Sequence, residues 1–161
     1  MIKPDEIFYT IEEAKIHDLS EILKIERMSF EYPWSEDTFL ALFSVLFTKK
    51  FIIKNNEDKI LGFLIYNEIF EEFHILNIAV HKEAQGKGIG TKLLNFIIEK
   101  ARKQNDAYIF LEVRTTNISA INLYKKFNFE ILETKKAYYE NGDDAFIMLL
   151  KHSNFKGWVV F

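Results

Sequence analysis

The chain has 161 residues, of which 48% are hydrophobic and 28% charged, with a formal net charge of −3 and no cysteine. That length suits one domain with a real core and would cramp two, and the composition sits in the globular range. The charge offers no general attraction for nucleic acid, and the missing cysteines exclude disulfides, thiolate metal sites and a cysteine acyl-enzyme. No N-terminal stretch has the make-up of a secretory signal, and the longest apolar run, Phe39 to Phe47, is about half the length of a membrane-spanning helix. The expectation is a soluble, cytoplasmic protein that binds neither nucleic acid nor membrane.

In chain order, Phe8 to Ala14 mixes β-formers with charges, as an opening strand does. Asp18 and Glu21 form a capping-box pattern, and Leu19, Ile22, Leu23 and Met28 then fall at helical spacing to about Phe30. Pro33 stops that helix. Ser35, ahead of Glu36 and Asp37, caps a second, short helix carrying Phe39, Leu42 and Phe43. Three β-rich runs follow, Phe51 to Lys54, Ile60 to Ile69 and Phe73 to Val80, with turn residues between them, and predict an antiparallel meander.

The third run leads into Gln85-Gly86-Lys87-Gly88-Ile89-Gly90, and Leu93, Leu94, Ile97, Ile98 and Ala101 continue it as a helix to about Gln104. A strand, a glycine loop and a helix start make a phosphate cradle: backbone N–H groups free of Cβ atoms close around the oxygens, and the helix N-terminus adds unpaired donors. Lys87 would add a cation. The spacing excludes two better-known cradles, since Thr91 stands where a dinucleotide fingerprint needs its third glycine and no Gly-Lys-Ser/Thr lies at triphosphate-loop spacing. A plain glycine turn is the competing reading.

Asn105-Asp106 breaks the helix, and Ala107 to Arg114 reads as a buried strand, parallel to the one before the glycine loop because a helical crossover joins them. Asn117 caps a helix from Ile118 to about Phe127, and Asn128 suits a left-handed position after it. Phe129 to Ala137 and Asp144 to Leu150 form a closing pair around Tyr138-Tyr139-Glu140-Asn141-Gly142, where Asn141-Gly142 is a hairpin signal. The order β-α-α-β-β-β-α-β-α-β-β describes one mixed α/β domain over residues 1–151 and a C-terminal tail, 152–161. For the tail, with Gly157-Trp158-Val159-Val160-Phe161, packing on the domain and packing on a second subunit are both open.

Glu112 is an acid inside an apolar strand, where an unpaired carboxylate is costly. Either it is a half-buried proton acceptor, or it is paired with Arg114 or Arg27 or exposed at a sheet edge. Tyr124 is either a proton donor or a core aromatic. Tyr32 and Trp34, and likewise Tyr138 and Tyr139, are either walls of an acceptor site or packing. His17, His74, His81 and His152 lie at no metal-binding spacing, and no Gly-x-Ser-x-Gly elbow is present, so neither a metal nor a covalent intermediate is predicted.

The glycine stretch matches Gln-x-x-Gly-x-Gly through Gln85, Gly88 and Gly90, and so resembles the acyl-coenzyme A pyrophosphate loop of the GCN5-related N-acetyltransferase (GNAT) superfamily. Tyr32-Pro33-Trp34-Ser35, Asn77-Ile78-Ala79-Val80-His81, Leu111-Glu112-Val113-Arg114, Asn117-x-x-Ala120-x-x-Leu123-Tyr124 and Tyr138-Tyr139 extend the resemblance over residues 8–150, toward the branch that acetylates ribosomal-protein alanine N-termini. It implies the GNAT fold, a mixed, mostly antiparallel sheet of about seven strands flanked by four helices. It implies acetyl-CoA as co-substrate, held by Ile78, Ala79, Val80, Gln85, Gly86, Lys87, Gly88, Ile89, Gly90, Asn117 and Tyr124, with a splayed strand end at Ile78 to Val80. Glu112 becomes the general base, Tyr124 the general acid, and Tyr32, Trp34, Tyr138 and Tyr139 the acceptor walls.

The implied reaction is direct transfer to the free N-terminal amine of a protein, the alanine terminus of a small-subunit ribosomal protein. An α-amine with pKa near 7.7–8.0 needs far less help from a base than a lysine near 10.4. Same-fold acetylation of small amines or antibiotics, and a non-catalytic acyl-CoA-binding scaffold, are the alternatives.

Overall fold

The computed structural model describes residues 7–154. Seven strands and four α-helices follow the order read from the sequence: β1 (Tyr9–Glu13), α1 (Leu19–Ser29), α2 (Glu36–Phe43), β2 (Thr48–Asn55), β3 (Ile60–Ile69), β4 (Glu72–Val80), α3 (Ile89–Arg102), β5 (Tyr108–Arg114), α4 (Ile118–Lys126), β6 (Glu130–Lys135) and β7 (Ala145–Lys151). The strands form one sheet in the order β1-β2-β3-β4-β5-β7-β6. The Trp158 segment lies outside the described residues. The chain divides into two compact units, one made of residues up to Ile65 with Asn77–Leu93, the other of Tyr66–Leu76 with the chain from Leu94 onward.

In the first unit, β1 runs antiparallel to β2, from Tyr9↔Asn55 to Glu13↔Phe51. Asn55 folds the next turn by accepting hydrogen bonds on its Oδ1 from the amides of Glu57 and Lys59, both at 3.0 Å, while Asp58 takes a left-handed φ of 63°. Side-chain turns of this kind are why asparagine clusters read as reversals. Ser35 caps α2 as predicted, its Oγ accepting from Thr38 N at 3.2 Å. Asp18 does not cap α1 in the predicted box. A 3₁₀ turn at Ile16–Asp18 precedes the helix, and the Asp18 carboxylate folds back to accept from Lys15 N at 2.8 Å. Leu19, Ile22, Leu23, Ile25 and Glu26 form the buried stripe of α1. At Gly62 in β3, a Cβ would lie 2.8 Å from the Ala79 carbonyl oxygen, so the absence of a side chain lets the backbones approach.

In the second unit, β4 and β5 pair in parallel, as the crossover rule predicts, from Glu72↔Tyr108 to Ile75↔Leu111. That ladder closes at Ile75↔Leu111, whereas β5 stays paired with antiparallel β7 as far as Arg114↔Ala145. Ile109, Leu111 and Val113 are buried and alternate with the part-exposed Tyr108, Phe110, Glu112 and Arg114. Asn117 caps α4 by accepting from Ala120 N at 3.2 Å, and Asn128 holds the left-handed position after it at φ 68°. The edge strand β6 is exposed along its whole length and carries Glu130, Glu133 and Lys135, charges that discourage edge-to-edge pairing. A register shift between Ile131 and Glu133 leaves Leu132 without a ladder partner on β7. The β6–β7 link is longer than a two-residue hairpin; within it Gly142 (φ 88°) donates its amide to Tyr139 O at 2.8 Å.

Candidate active site

The glycine loop belongs to the first unit. β4 ends at Val80, a 3₁₀ turn occupies Lys82–Ala84, and Gln85 reaches back to donate its Nε2 to Val80 O at 3.3 Å, tying the start of the loop to the strand end. Gly86 and Gly88 adopt φ values of 75° and 78°, and at neither would a Cβ meet any atom within 4 Å. Backbone conformation, not crowding, therefore demands glycine at both positions. Gly88 O accepts from Lys92 N at 3.0 Å and so begins α3, while Gly90 lies inside that helix rather than in the loop. The alternation in the sequence hides two jobs: two glycines bend the loop, and the third sits in the helix's first turn. Gln85, Gly86, Lys87 and Gly88 are exposed, Ile89 is buried, and Ile78 and Val80 are part-exposed on either side of buried Ala79. An exposed loop with free backbone donors at the start of a 14-residue helix fits an anionic diphosphate.

The same unit holds a buried carboxylate that sequence reasoning missed. Glu26 is 1% exposed, and it accepts from Trp34 N at 2.8 Å on Oε1 and from Asn77 Nδ2 at 2.9 Å on Oε2. The signal was available, since Glu26 falls on the apolar stripe of α1 four residues after Ile22. Burial raises its pKa; the Trp34 amide and then the Asn77 amide pull it back. The sign follows: a carboxyl raised in the folded state contributes fully below the ordinary carboxylate pKa, and that contribution is lost as pH rises through the raised value. At neutral pH the buried charge is thus a cost that the two donors offset. Replacing Glu26 with alanine leaves both donors unpaired and should destabilise the protein by about 3 kcal/mol, read from urea unfolding at pH 7. The Trp34 ring, anchored next to this bond, packs at 5.6 Å from that of Phe39, while Tyr32 is 53% exposed.

The second unit holds both expected catalytic residues. His74 and Phe110 are register partners, so their side chains leave the same face and stack at 4.1 Å with 11° between the rings. Glu112, two residues on, shares that face, and its Oε2 lies 2.6 Å from His74 Nε2. With Glu112 ionised, the histidine Nε2–H is the donor. Both side chains keep some exposure, 23% for His74 and 18% for Glu112. The acid is therefore neither at a sheet edge nor paired with Arg114, as its structural reading had it. Arg114 donates instead to Asp143 Oδ2 at 2.8 Å and Asn141 Oδ1 at 2.9 Å, and its guanidinium lies 3.8 Å from the Tyr139 ring. This clasp fixes the β6–β7 link and the tyrosine pair it carries, whose rings meet edge to face at 5.0 Å.

Tyr138 and Tyr139 both feel the charge of Glu112. Burial raises Tyr138 and Glu112 raises it further, while burial takes Tyr139 to about 12 against the pull of Arg114. Tyr124 is 6% exposed, its ring 5.6 Å from Phe129, and burial, then proximity to Tyr139, push its phenol far above the ordinary value. The structure thus groups Glu112, Tyr124, Tyr138 and Tyr139, and adds His74. Because Tyr124 keeps its proton throughout the working range, no alkaline limb of kcat should come from it. Tyr124→Phe is expected to lower kcat about tenfold to a hundredfold with an unchanged profile shape, measured from pH 6 to 9.5. Asn117 is exposed, and its Oδ1 is engaged by the α4 cap.

Among the described residues, no group of three or more His, Cys, Asp or Glu side chains is placed to hold a metal ion, and no helix is long and apolar enough to cross a membrane. The family profile described as Acetyltransferase (GNAT) matches residues 19–129. The ribosomal protein bS18-alanine N-acetyltransferase of Escherichia coli strain K12 is 33% identical over 144 residues, covering 88% of this chain and 96% of that one. The crystal structure of the Escherichia coli ribosomal-protein-S18-alanine N-acetyltransferase superposes with a TM-score of 0.82 at 31% identity, covering 96% of this chain and 99% of that one. An N-alpha-acetyltransferase of Sulfolobus acidocaldarius is 32% identical over 158 residues, with 88% and 92% covered. Arabidopsis thaliana Naa50 in complex with the bisubstrate analogue CoA-Ac-MVNAL superposes with a TM-score of 0.75 at 27% identity, with 88% and 97% covered.

Proposed function

The chain belongs to the acetyltransferase (GNAT) family, and on that premise we propose that residues 1–151 work as one N-acetyltransferase domain whose acceptor is the alanine N-terminus of ribosomal protein bS18. The enzyme is an acetyl-CoA-dependent N-acetyltransferase. Its relatives named for ribosomal-protein or N-alpha acetylation support a protein N-terminus as the acceptor.

One observation carries the chemistry: the Glu112–His74 contact of 2.6 Å on the part-exposed face of β5. Glu112 takes the proton of the attacking α-ammonium, directly or through a water, while His74 holds the other end of the carboxylate in place. The neutral amine attacks the thioester carbonyl, the carbon–sulfur bond breaks, and the thiolate of coenzyme A receives the Tyr124 proton, while the second proton shed by the nitrogen passes through water to restore Tyr124. Gln85, Gly86, Lys87, Gly88, Ile89 and Gly90 hold the diphosphate of acetyl-CoA, as the exposed loop at the α3 N-terminus supports. Ile78, Ala79 and Val80 offer backbone groups to the pantetheine arm, and one main-chain N–H there stabilises the charge developing on the thioester oxygen. Asn117 lies beside the co-substrate as well as capping α4.

Tyr138, Tyr139, Tyr32 and Trp34 wall the acceptor. Aromatic walls suit a peptide better than a polyamine, which calls for exposed acids, and Asp143 is already engaged by Arg114. Turnover of an alanine-starting peptide should far exceed that of the same peptide with a blocked N-terminus and that of spermidine at equal concentration. Preference for the free polyamine would sink the reading. The protein is expected to act in the cytoplasm, where newly made ribosomal proteins are found.

A further inference from the structure

Two polar residues of the first unit stand where apolar ones are expected. Glu26 shares the buried stripe of α1 with Leu19, Ile22, Leu23 and Ile25, and Asn77 interrupts the buried row of β4 formed by Phe73, Ile75 and Ala79. Leaving one member of a buried donor–acceptor pair unmatched is costly, but replacing both by packed apolar side chains is often neutral or better. Stability alone is therefore a weak reason for this pair, and its geometry supplies a stronger one.

The two oxygens of Glu26 reach two different parts of the fold. Oε1 accepts the main-chain N–H of Trp34 at 2.8 Å, in the loop of residues 30–35 that joins α1 to α2. Oε2 accepts from Nδ2 of Asn77 at 2.9 Å, on β4 one residue before Ile78. Trp34 is fixed a second time through its ring, which packs on the fully buried Phe39, and Phe39 meets Phe63 of β3 edge to face at 5.9 Å. The backbone of Trp34 is thus referred to β4 and its ring to β3, while the side chain keeps part of its surface open. Surface loops are ordinarily more mobile than the elements they connect, and one rigid, planar carboxylate removes that freedom here.

We propose, on the reading that Trp34 walls the acceptor and Ile78 to Val80 receive the pantetheine arm, that Glu26 is a positioning residue: its carboxylate locks the acceptor wall to that strand end, so that amine and thioester meet in one geometry. Glu26 acts through Trp34 and Asn77 and not on the reactants themselves. Misplacing a reactant by about 1 Å from such a distance costs on the order of a hundredfold in rate.

Glu26→Leu removes both links. Asn77→Val removes one of them with a residue suited to a buried strand, which keeps the role testable if the first variant fails to fold. Glu26→Gln keeps both, since its oxygen accepts from the Trp34 N–H and its amide donates to Asn77 once that side chain turns to offer Oδ1. Rates are taken at saturating acetyl-CoA with whichever amine the wild type acetylates best, per binding-competent molecule as counted by calorimetric titration with coenzyme A. Glu26→Leu and Asn77→Val should lose about tenfold to a hundredfold in kcat with little change in coenzyme A affinity, and Glu26→Gln should restore most of the rate. A wrong acceptor assignment then shows as a different best amine, and a wrong role for Glu26 shows in the ratios between variants. In a Trp158→Phe background, which leaves Trp34 as the sole tryptophan, Asn77→Val should make Trp34 emission severalfold more quenchable by acrylamide. Equal kcat per binding-competent molecule in all these proteins would overturn the proposal. So would a Glu26→Gln as slow as Glu26→Leu, or a Trp34 that Asn77→Val leaves equally shielded.

Discussion

Glu112→Gln lowers kcat/KM for an alanine-starting peptide by about a hundredfold to a thousandfold, with acetyl-CoA affinity and melting temperature nearly unchanged. The amide is the same size as the carboxylate and can still accept the His74 Nε2–H through its oxygen, so the 2.6 Å contact has a substitute. What the variant lacks is any means of taking a proton. That deficit has a pH signature. An α-amine has a pKa near 7.7–8.0, so raising the pH from 7 to about 9 makes most of the acceptor neutral and shrinks the loss. A loss that stays constant across that range would mean that Glu112 orients the acceptor instead of deprotonating it. Initial rates between pH 6.5 and 9.5 for both proteins, with a peptide whose amine has been titrated separately, make the comparison.

Gly86→Ala with Gly88→Ala weakens acetyl-CoA binding by about a hundredfold while leaving the fold intact. Neither Cβ would collide with anything, so overpacking is not the mechanism. The penalty is backbone: φ values of 75° and 78° cost an alanine roughly 1–2 kcal/mol each, or about 5- to 30-fold in affinity per position. The exposed loop relaxes to escape that strain, and its amides cease to converge. Gly90→Ala, at a position already helical, should have little effect or slightly stabilise α3. Calorimetric titration of the three proteins with coenzyme A separates them. Equal affinities for all three would show that the loop does not bind the diphosphate.

What the sequence revealed was chiefly what local chemistry determines. Ser35 and Asn117 cap the helices they were expected to cap, Asn128 takes the left-handed turn, and the glycine stretch lies between strand and helix. These depend on neighbours three or four residues away. What stayed hidden depends on register. His74 meets Glu112 across 38 residues, and Asn77 meets Glu26 across 51, because strand pairing and helix placement bring them together. Asp18 shows the limit of local rules themselves: its carboxylate was read as a cap for the following helix but accepts from Lys15 N behind it. That Leu132 leaves the ladder could not be foreseen, since no turn residue announces the bulge that frees it.

Delivery of an acetyl group to a peptide's terminal amine is the central step. The enzyme is incubated at pH 7 with acetyl-CoA and a peptide that begins with alanine and carries an internal lysine, and fragment-ion mass spectrometry locates the product. A single acetyl group on the α-nitrogen, formed with release of one coenzyme A thiol per peptide and greatly slowed by Glu112→Gln, is the predicted outcome. Acetyl on the lysine side chain, or thiol release with no modified peptide, would contradict it.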